Sequence, residues 1–109
     1  MLPLLFWMFL GLSVNAGPDQ RMTFQSCVVD DGRCQFKMAG KVTTTEKNAS
    51  AVWALLSGSE SVRMSSEKDP KAVVSVDKPG VYVFLLVGAD AKNVQTDSVR
   101  IEILGTVAD

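Results

Sequence analysis

The chain has 109 residues, a formal net charge of −1 and no histidine. That length suits one ordinary domain, and so balanced a charge leaves no electrostatic footprint for nucleic acid or an anionic membrane surface. Without imidazole, the commonest general base and the commonest metal ligand are both missing, so catalysis would have to rest on carboxylates, Lys, Ser or Cys.

Residues Met1 to Val14, MLPLLFWMFLGLSV, are almost wholly apolar and carry no charged side chain. Crossing a bilayer takes about 20 apolar residues, so this run is short for a span and fits the apolar core of an export signal better. Small residues stand where a signal peptidase cuts: Val14-Asn15-Ala16 ahead of Gly17, and Gly11-Leu12-Ser13 ahead of Val14. The expected division is a signal peptide over 1–16, cleaved after Ala16 or after Ser13, and a domain over 17–109. The segment before the apolar run lacks Lys and Arg, so only the terminal amine is positive there; an uncleaved anchor or a buried first strand is the competing reading. Export places the mature chain outside the cell, in the periplasm or on the cell surface, with no membrane contact beyond the signal.

Past the signal the apolar pattern has period two rather than 3.6. Cys34, Phe36 and Met38 alternate with Gln35 and Lys37; Tyr82, Phe84 and Leu86 alternate with Val81, Val83, Leu85 and Val87; Val99, Ile101 and Ile103 alternate with Ser98, Arg100 and Glu102. The breaks are turn chemistry: Asp30-Asp31-Gly32, Thr43 to Asn48, Ser57-Gly58-Ser59, Ser65 to Pro70, Lys78-Pro79-Gly80 and Ala89 to Asn93. The spacing predicts about seven strands, over 19–29 with an interruption, 33–39, 50–56, 60–64, 71–77, 80–88 and 97–105. Several short strands so spaced argue for an all-β sandwich or barrel.

Cys27 and Cys34 flank VVDDGR, whose Asp30-Asp31-Gly32 is a turn signal. A hairpin there would bring the two thiols within bonding reach, and an exported chain meets an oxidising compartment where a disulfide persists. The alternatives are two free buried thiols or half of a metal site; a metal site would need two further N or S ligands.

With the strands placed, several stretches resemble the PKD (polycystic-kidney-disease-type) domain. Ala16-Gly17-Pro18-Asp19-Gln20 looks like the AGPDQ opening of that family, and Phe36-Lys37-Met38-Ala39-Gly40 sits where it has V-x-L-D-G. Trp53 matches its strand-C tryptophan and Ser57-Gly58 the S-G that follows. Pro79-Gly80-Val81-Tyr82-Val83-Phe84-Leu85-Leu86, then Asp90, resembles P-G-x-Y-x-V-x-L-x-V-x-D, and Asp97-Ser98-Val99 its closing S-D-x-V. The similarity covers about residues 14–105. It implies an immunoglobulin-like sandwich used for spacing, adhesion, or protein or carbohydrate contact, not for catalysis. Trp53, Tyr82, Phe84 and Leu86 would then be core, with the Tyr82 hydroxyl bonded to nearby backbone as a tyrosine corner.

The chain departs from that pattern in places. Some PKD domains hold calcium with an acidic loop before strand C; here that loop is Lys41 to Ser50, KVTTTEKNAS, with Glu46 its only carboxylate. Calcium takes about six to eight oxygens, so no calcium site carries over and no cofactor is expected. Ala39 replaces the usual Asp, and the paired cysteines are not part of the family pattern.

The sequence offers few chemical sites. Asp30 and Asp31 read as turn formers, and Ser57-Gly58-Ser59 lacks the G-x-S-x-G context of a nucleophile elbow. Asn48-Ala49-Ser50 is an N-glycosylation sequon. If Trp53 and Leu55 point inward, Val52, Ala54 and Leu56 point outward; if Tyr82, Phe84 and Leu86 point inward, so do Val81, Val83, Leu85 and Val87 point outward. The strands over 50–56 and 80–88 take the neighbouring C and F places of an immunoglobulin-like sheet. Val52, Leu56, Val81, Val83, Leu85 and Val87 would then form one apolar patch bordered by Arg100 and Glu102, a candidate docking surface for another copy or another protein. The leading expectation is therefore a non-enzymatic exported interaction or structural module. The alternative, a carbohydrate-binding or adhesion module, needs exposed aromatic rings, whereas Trp53, Tyr82, Phe24, Phe36 and Phe84 fall at predicted core positions.

Overall fold

The computed structural model describes residues 11–29, 32–58 and 61–105; most of the segment expected to be an export signal, Asp30-Asp31, Ser59-Glu60 and the chain after Gly105 lie outside them. The elements run β1 (Ser13–Asn15), β2 (Gln20–Thr23), α1 (Phe24–Cys27), β3 (Cys34–Lys37), β4 (Lys41–Thr43), β5 (Ser50–Ser57), β6 (Arg63–Met64), β7 (Val73–Val76), β8 (Gly80–Ala89) and β9 (Val94–Leu104). They form a large sheet in the order β2-β9-β8-β5, a smaller one in the order β3-β7-β6, and the pair β1-β4. The two larger sheets share one core, an immunoglobulin-like sandwich.

Period-two alternation builds that core. In β8 the buried residues are Tyr82, Phe84, Leu86 and Gly88. Val99, Ile101 and Ile103 of β9 lie beside them, and Cys34, Phe36, Val74 and Val76 of the smaller sheet face them. Phe84 sits at the centre, meeting Phe36 at 6.5 Å and Trp53 at 6.4 Å between ring centroids, both edge-on. Trp53 anchors the edge strand β5. Its Nε1–H donates to the Asp69 carbonyl (3.0 Å), and its backbone N–H donates to that of Glu67 (2.8 Å), pinning the connection before β7 across the strand. Gly40 leaves room for this ring, since a Cβ there would stand 2.8 Å from Trp53 Cζ2 and 2.7 Å from the Pro70 carbonyl oxygen.

Three local outcomes differ from the sequence reading. The strand expected over 19–29 stops at Thr23, whose hydroxyl accepts the Ser26 N–H (3.2 Å) and caps the single helical turn α1. Phe24 rides on that turn half-buried rather than in the core. Leu55, expected inward, shares the register row of Phe84 yet is 38% exposed, because it lies on the edge strand next to a bulge between Leu55 and Ser57. The strand β4 was not expected, and β1 answers only to the competing reading of a first strand at the N-terminus. They pair antiparallel over Ser13–Asn15 and Lys41–Thr43, and Val14 and Val42 close over Gly88. A Cβ on Gly88 would lie 2.5 Å from Val14 Cγ2, so only glycine lets this pair settle on β8. Ala16 is buried and gives its N–H to Asp97 (2.8 Å). Cleavage after Ala16 would therefore remove β1 and this buried link, whereas cleavage after Ser13 would keep Val14 to Ala16.

Cys27 and Cys34 form a disulfide, joining the end of α1 to the start of β3 with Cα atoms 4.6 Å apart. Beside the bond, Val28 bridges antiparallel to Cys34 and the Val29 N–H donates to the Arg33 carbonyl (2.9 Å). Arg33, buried, continues the clamp: its Nε donates to Ser75 Oγ (3.0 Å) and its Nη2 to the carbonyls of Ser75 (2.9 Å) and Ser61. The Ser61 hydroxyl in turn donates to Asp77.

At the opposite corner the Tyr82 hydroxyl donates to the Lys78 carbonyl (2.6 Å), four residues upstream. Burial, reinforced by the charge of Asp77, pushes this phenol above its usual pKa. The folded state thus holds a proton that the unfolded chain releases near pH 10, so stability falls as pH rises past that value. Tyr82→Phe is expected to cost about 1 kcal/mol at neutral pH and to flatten the alkaline part of a denaturant-midpoint-against-pH curve. An unchanged alkaline limb would show that Tyr82 does not control it.

Candidate functional site

The outer face of the large sheet follows from register. Val52 stands opposite Val87 and Val87 opposite Thr96; Ala54 opposite Leu85 and Leu85 opposite Ser98. Val83 faces Arg100, and Val81 faces Glu102, which faces Arg21 of β2. The structure thus brings Val52, Val81, Val83, Leu85 and Val87 together on one face. Val83, Leu85 and Val87 are half-buried, as expected for a strand flanked on both sides, while Val52 and Val81 are exposed. Leu56 reaches the region by another route. It is the unpaired residue of the β5 bulge, so strand alternation does not aim it; at 57% exposed it stands at the sheet edge.

One residue of this face escaped sequence reasoning. Val94 is 67% exposed and lies opposite Ala89, which lies opposite Ser50, so the apolar surface extends one row further. Its strand begins at Val94 rather than at 97. Asp97 conceals this in the sequence, because a carboxylate occupies an inward position and accepts the Ala16 N–H there.

The charges bordering the face satisfy one another. Glu102 lies 3.1 Å from Arg100 Nη1 and 3.8 Å from Arg21 Nε. The Arg100 N–H donates to Asp19 Oδ1 (2.9 Å). Such exposed pairs contribute little to stability, but they leave the face with a neutral rim around an aliphatic centre.

Elsewhere the polar groups serve turns. Asp90 accepts from the Thr44 hydroxyl (2.6 Å) and from the N–H groups of Lys92 and Asn93 (2.8 Å each), which holds its carboxyl below the usual range. Glu46 pairs with Lys92 at 3.6 Å. A shallow depression beside Tyr82 is lined by Gly58, Ser61, Lys78 and Pro79, and the Ser61 hydroxyl there is engaged with Asp77. Among the described residues no group of three or more His, Cys, Asp or Glu is placed to hold a metal ion, and no helix is long and apolar enough to cross a membrane.

Similarity to known proteins agrees with this architecture. No curated protein matches the chain. The solution structure of the PKD domain from KIAA 1837 protein superposes with a TM-score of 0.70 at 23% identity, covering 88% of this chain and 89% of that one. The solution structure of the PKD domain from human KIAA0319 gives 0.61 at 16% identity, covering 91% and 86%. At these identities the likeness speaks for the fold alone. The profile of the K319L-like PKD domain family matches residues 16–103, from the buried Ala16 to the last buried residue of β9. That match spans both sheets and the strands carrying Trp53 and Tyr82, and it settles the assignment: the chain belongs to the K319L-like PKD domain family.

Proposed function

We propose that this chain is a non-enzymatic, cofactor-free exported module that makes protein contact through the outer face of β5, β8 and β9. Domains of its family are typically extracellular protein–protein interaction modules. The observation that carries the reading is the single aliphatic face formed by Val52, Val81, Val83, Leu85 and Val87, where a solvated strand would be served as well by Thr. The disulfide supports export, because such bonds persist in oxidising compartments. Of the two leader cleavage positions, the one after Ser13 suits the fold better, since it keeps Ala16 and its bond to Asp97.

The chemistry of the face selects the partner. Its rim charges are already paired within the chain, so it offers neither sign to a charged ligand. The matching surface is an apolar patch on a different protein, bound with little dependence on salt. Burial contributes about 25 cal/mol per Å², less the cost of association. A carbohydrate-binding role has less support, because Trp53, Tyr82, Phe36 and Phe84 are buried and offer no ring to stack on a sugar.

The test is Val83→Lys combined with Leu85→Lys. Both side chains point away from the core, so the variant is expected to remain folded. Its affinity for a partner identified by crosslinking from a photoreactive residue at position 85, then purified and titrated, should fall at least about tenfold, or about 1.4 kcal/mol. Unchanged affinity would remove the face from the proposal. A wild-type dimer that the variant abolishes would assign the face to self-association instead, and an unfolded variant would place these residues in the core.

A further inference from the structure

We infer that Asn48 is a site of N-linked glycosylation, so that the chain carries one oligosaccharide at the end of the sandwich where β5 begins. Asn48-Ala49-Ser50 is a complete acceptor sequon, its middle residue being Ala rather than Pro. The fold presents it well. Asn48, Ala49 and Ser50 are all exposed, Asn48 and Ala49 in the connection from β4 to β5 and Ser50 at the start of β5. Asn48 adopts φ +62°, a left-handed turn conformation that Asn tolerates better than most residues. Exposed in this connection, it can carry a bulky polar group that meets solvent rather than core.

A second observation concerns the compartment. The Cys27–Cys34 disulfide belongs to a chain that matures where thiols are oxidised. In a eukaryotic cell that lumen is also where sequons are glycosylated. In the transfer, the Asn48 Nδ2 attacks the anomeric carbon of a lipid-diphosphate-linked oligosaccharide. The N–C bond forms, the C–O bond to the diphosphate breaks, the lipid diphosphate leaves with the electron pair, and the amide proton passes to a base of the transferase. Ser50 supplies the hydroxyl that the transferase recognises, and its position as the first residue of the edge strand β5 keeps it at the surface.

The inference is independent of the docking face and is read by a different measurement. The full chain is expressed in a eukaryotic secretory host in two forms, one with its own N-terminal segment and one with an efficient export leader ahead of Leu12. The wild-type protein should migrate as a heavier species that peptide N-glycosidase F collapses in one step, leaving Asp at position 48 in the peptide mass spectrum. Asn48→Gln and Ser50→Ala should each abolish the heavier species, while Ser50→Thr should retain it. Ser50→Ala leaves the Asn48 turn untouched, so a folding defect at position 48 cannot mimic the result. Resistance to alkylation until reductant is added shows that the disulfide has formed and that the chain has entered the lumen. Wild-type protein that passes this control in either form and carries no sugar overturns the inference, as does sugar that persists in both Asn48→Gln and Ser50→Ala.

Discussion

Trp53→Ala is expected to destabilise the domain by about 3–5 kcal/mol, the range for deleting a buried large aromatic. Against a typical total of about 5–15 kcal/mol, that leaves the domain marginal or unfolded. Three losses combine. The indole is buried on a strand with only one strand neighbour, so its removal opens the space between β5 and the connection before β7. The edge-on contact with Phe84 disappears, and with it a term of about 0.5–1.5 kcal/mol. The Asp69 carbonyl loses its donor, which loosens the segment that also accepts from the Trp53 backbone. Trp53→Phe separates these effects: it keeps a ring beside Phe84 and gives up only the Nε1 donor and some volume, so its cost should be well under half that of Trp53→Ala. Denaturant unfolding of both variants, followed by far-UV circular dichroism, makes the comparison. A shift below about 1 kcal/mol for the alanine variant would show that the ring is not a core anchor and would revive sugar stacking as a function.

How much of this was legible in the sequence depends on how far each element obeys alternation on its own. β8 and the second half of β9 are long and bury one face, so Tyr82, Phe84, Leu86, Val99, Ile101 and Ile103 mark themselves. β1 and β4 span three residues each, too few to show a period, and their Ser-Val-Asn and Lys-Val-Thr look like loop. What makes them strands is tertiary: the seat that Gly88 provides for Val14 and Val42. The helical turn at Phe24 was hidden because Met22 and Phe24 continue an apparent alternation that the Thr23 cap interrupts. Arg33 was unreadable for a different reason. A cation beside a turn looks solvated, and nothing in the linear sequence brings Ser61 and Ser75 to meet it. The apolar outer face was mostly legible because its rows follow from register. Leu56 and Val94 show the limits of that rule, one displaced by a bulge and the other screened by the inward Asp97.

Replacing both Cys27 and Cys34 with Ala is expected to cost about 2–3 kcal/mol, with the midpoint of unfolding falling accordingly. The bond closes a loop with a sequence separation of 7, and the chain-entropy relation gives about 2.5 kcal/mol for so short a loop. The two sulfurs play unequal parts. Cys34 is fully buried at the start of β3, while Cys27 is half-buried at the end of α1. A single helical turn cannot persist alone, because nucleation costs more than its few hydrogen bonds return. Once the tether is gone, α1 should fray while β3 stays paired to β7 through the Cys34–Val76 to Lys37–Val73 register. The loss should therefore be local as well as global: Val28 and Val29 should exchange faster still through local opening, while Phe84 and Ile101, whose amides open only on global unfolding, should speed up by no more than the global loss accounts for. Wild-type protein in reductant should reproduce the stability loss without altering the core, and the double Ala variant should no longer respond to reductant. If reductant leaves the wild-type midpoint unchanged, the disulfide contributes nothing to stability. The Arg33 clamp on Ser61 and Ser75 would then be what fixes this end of the sandwich.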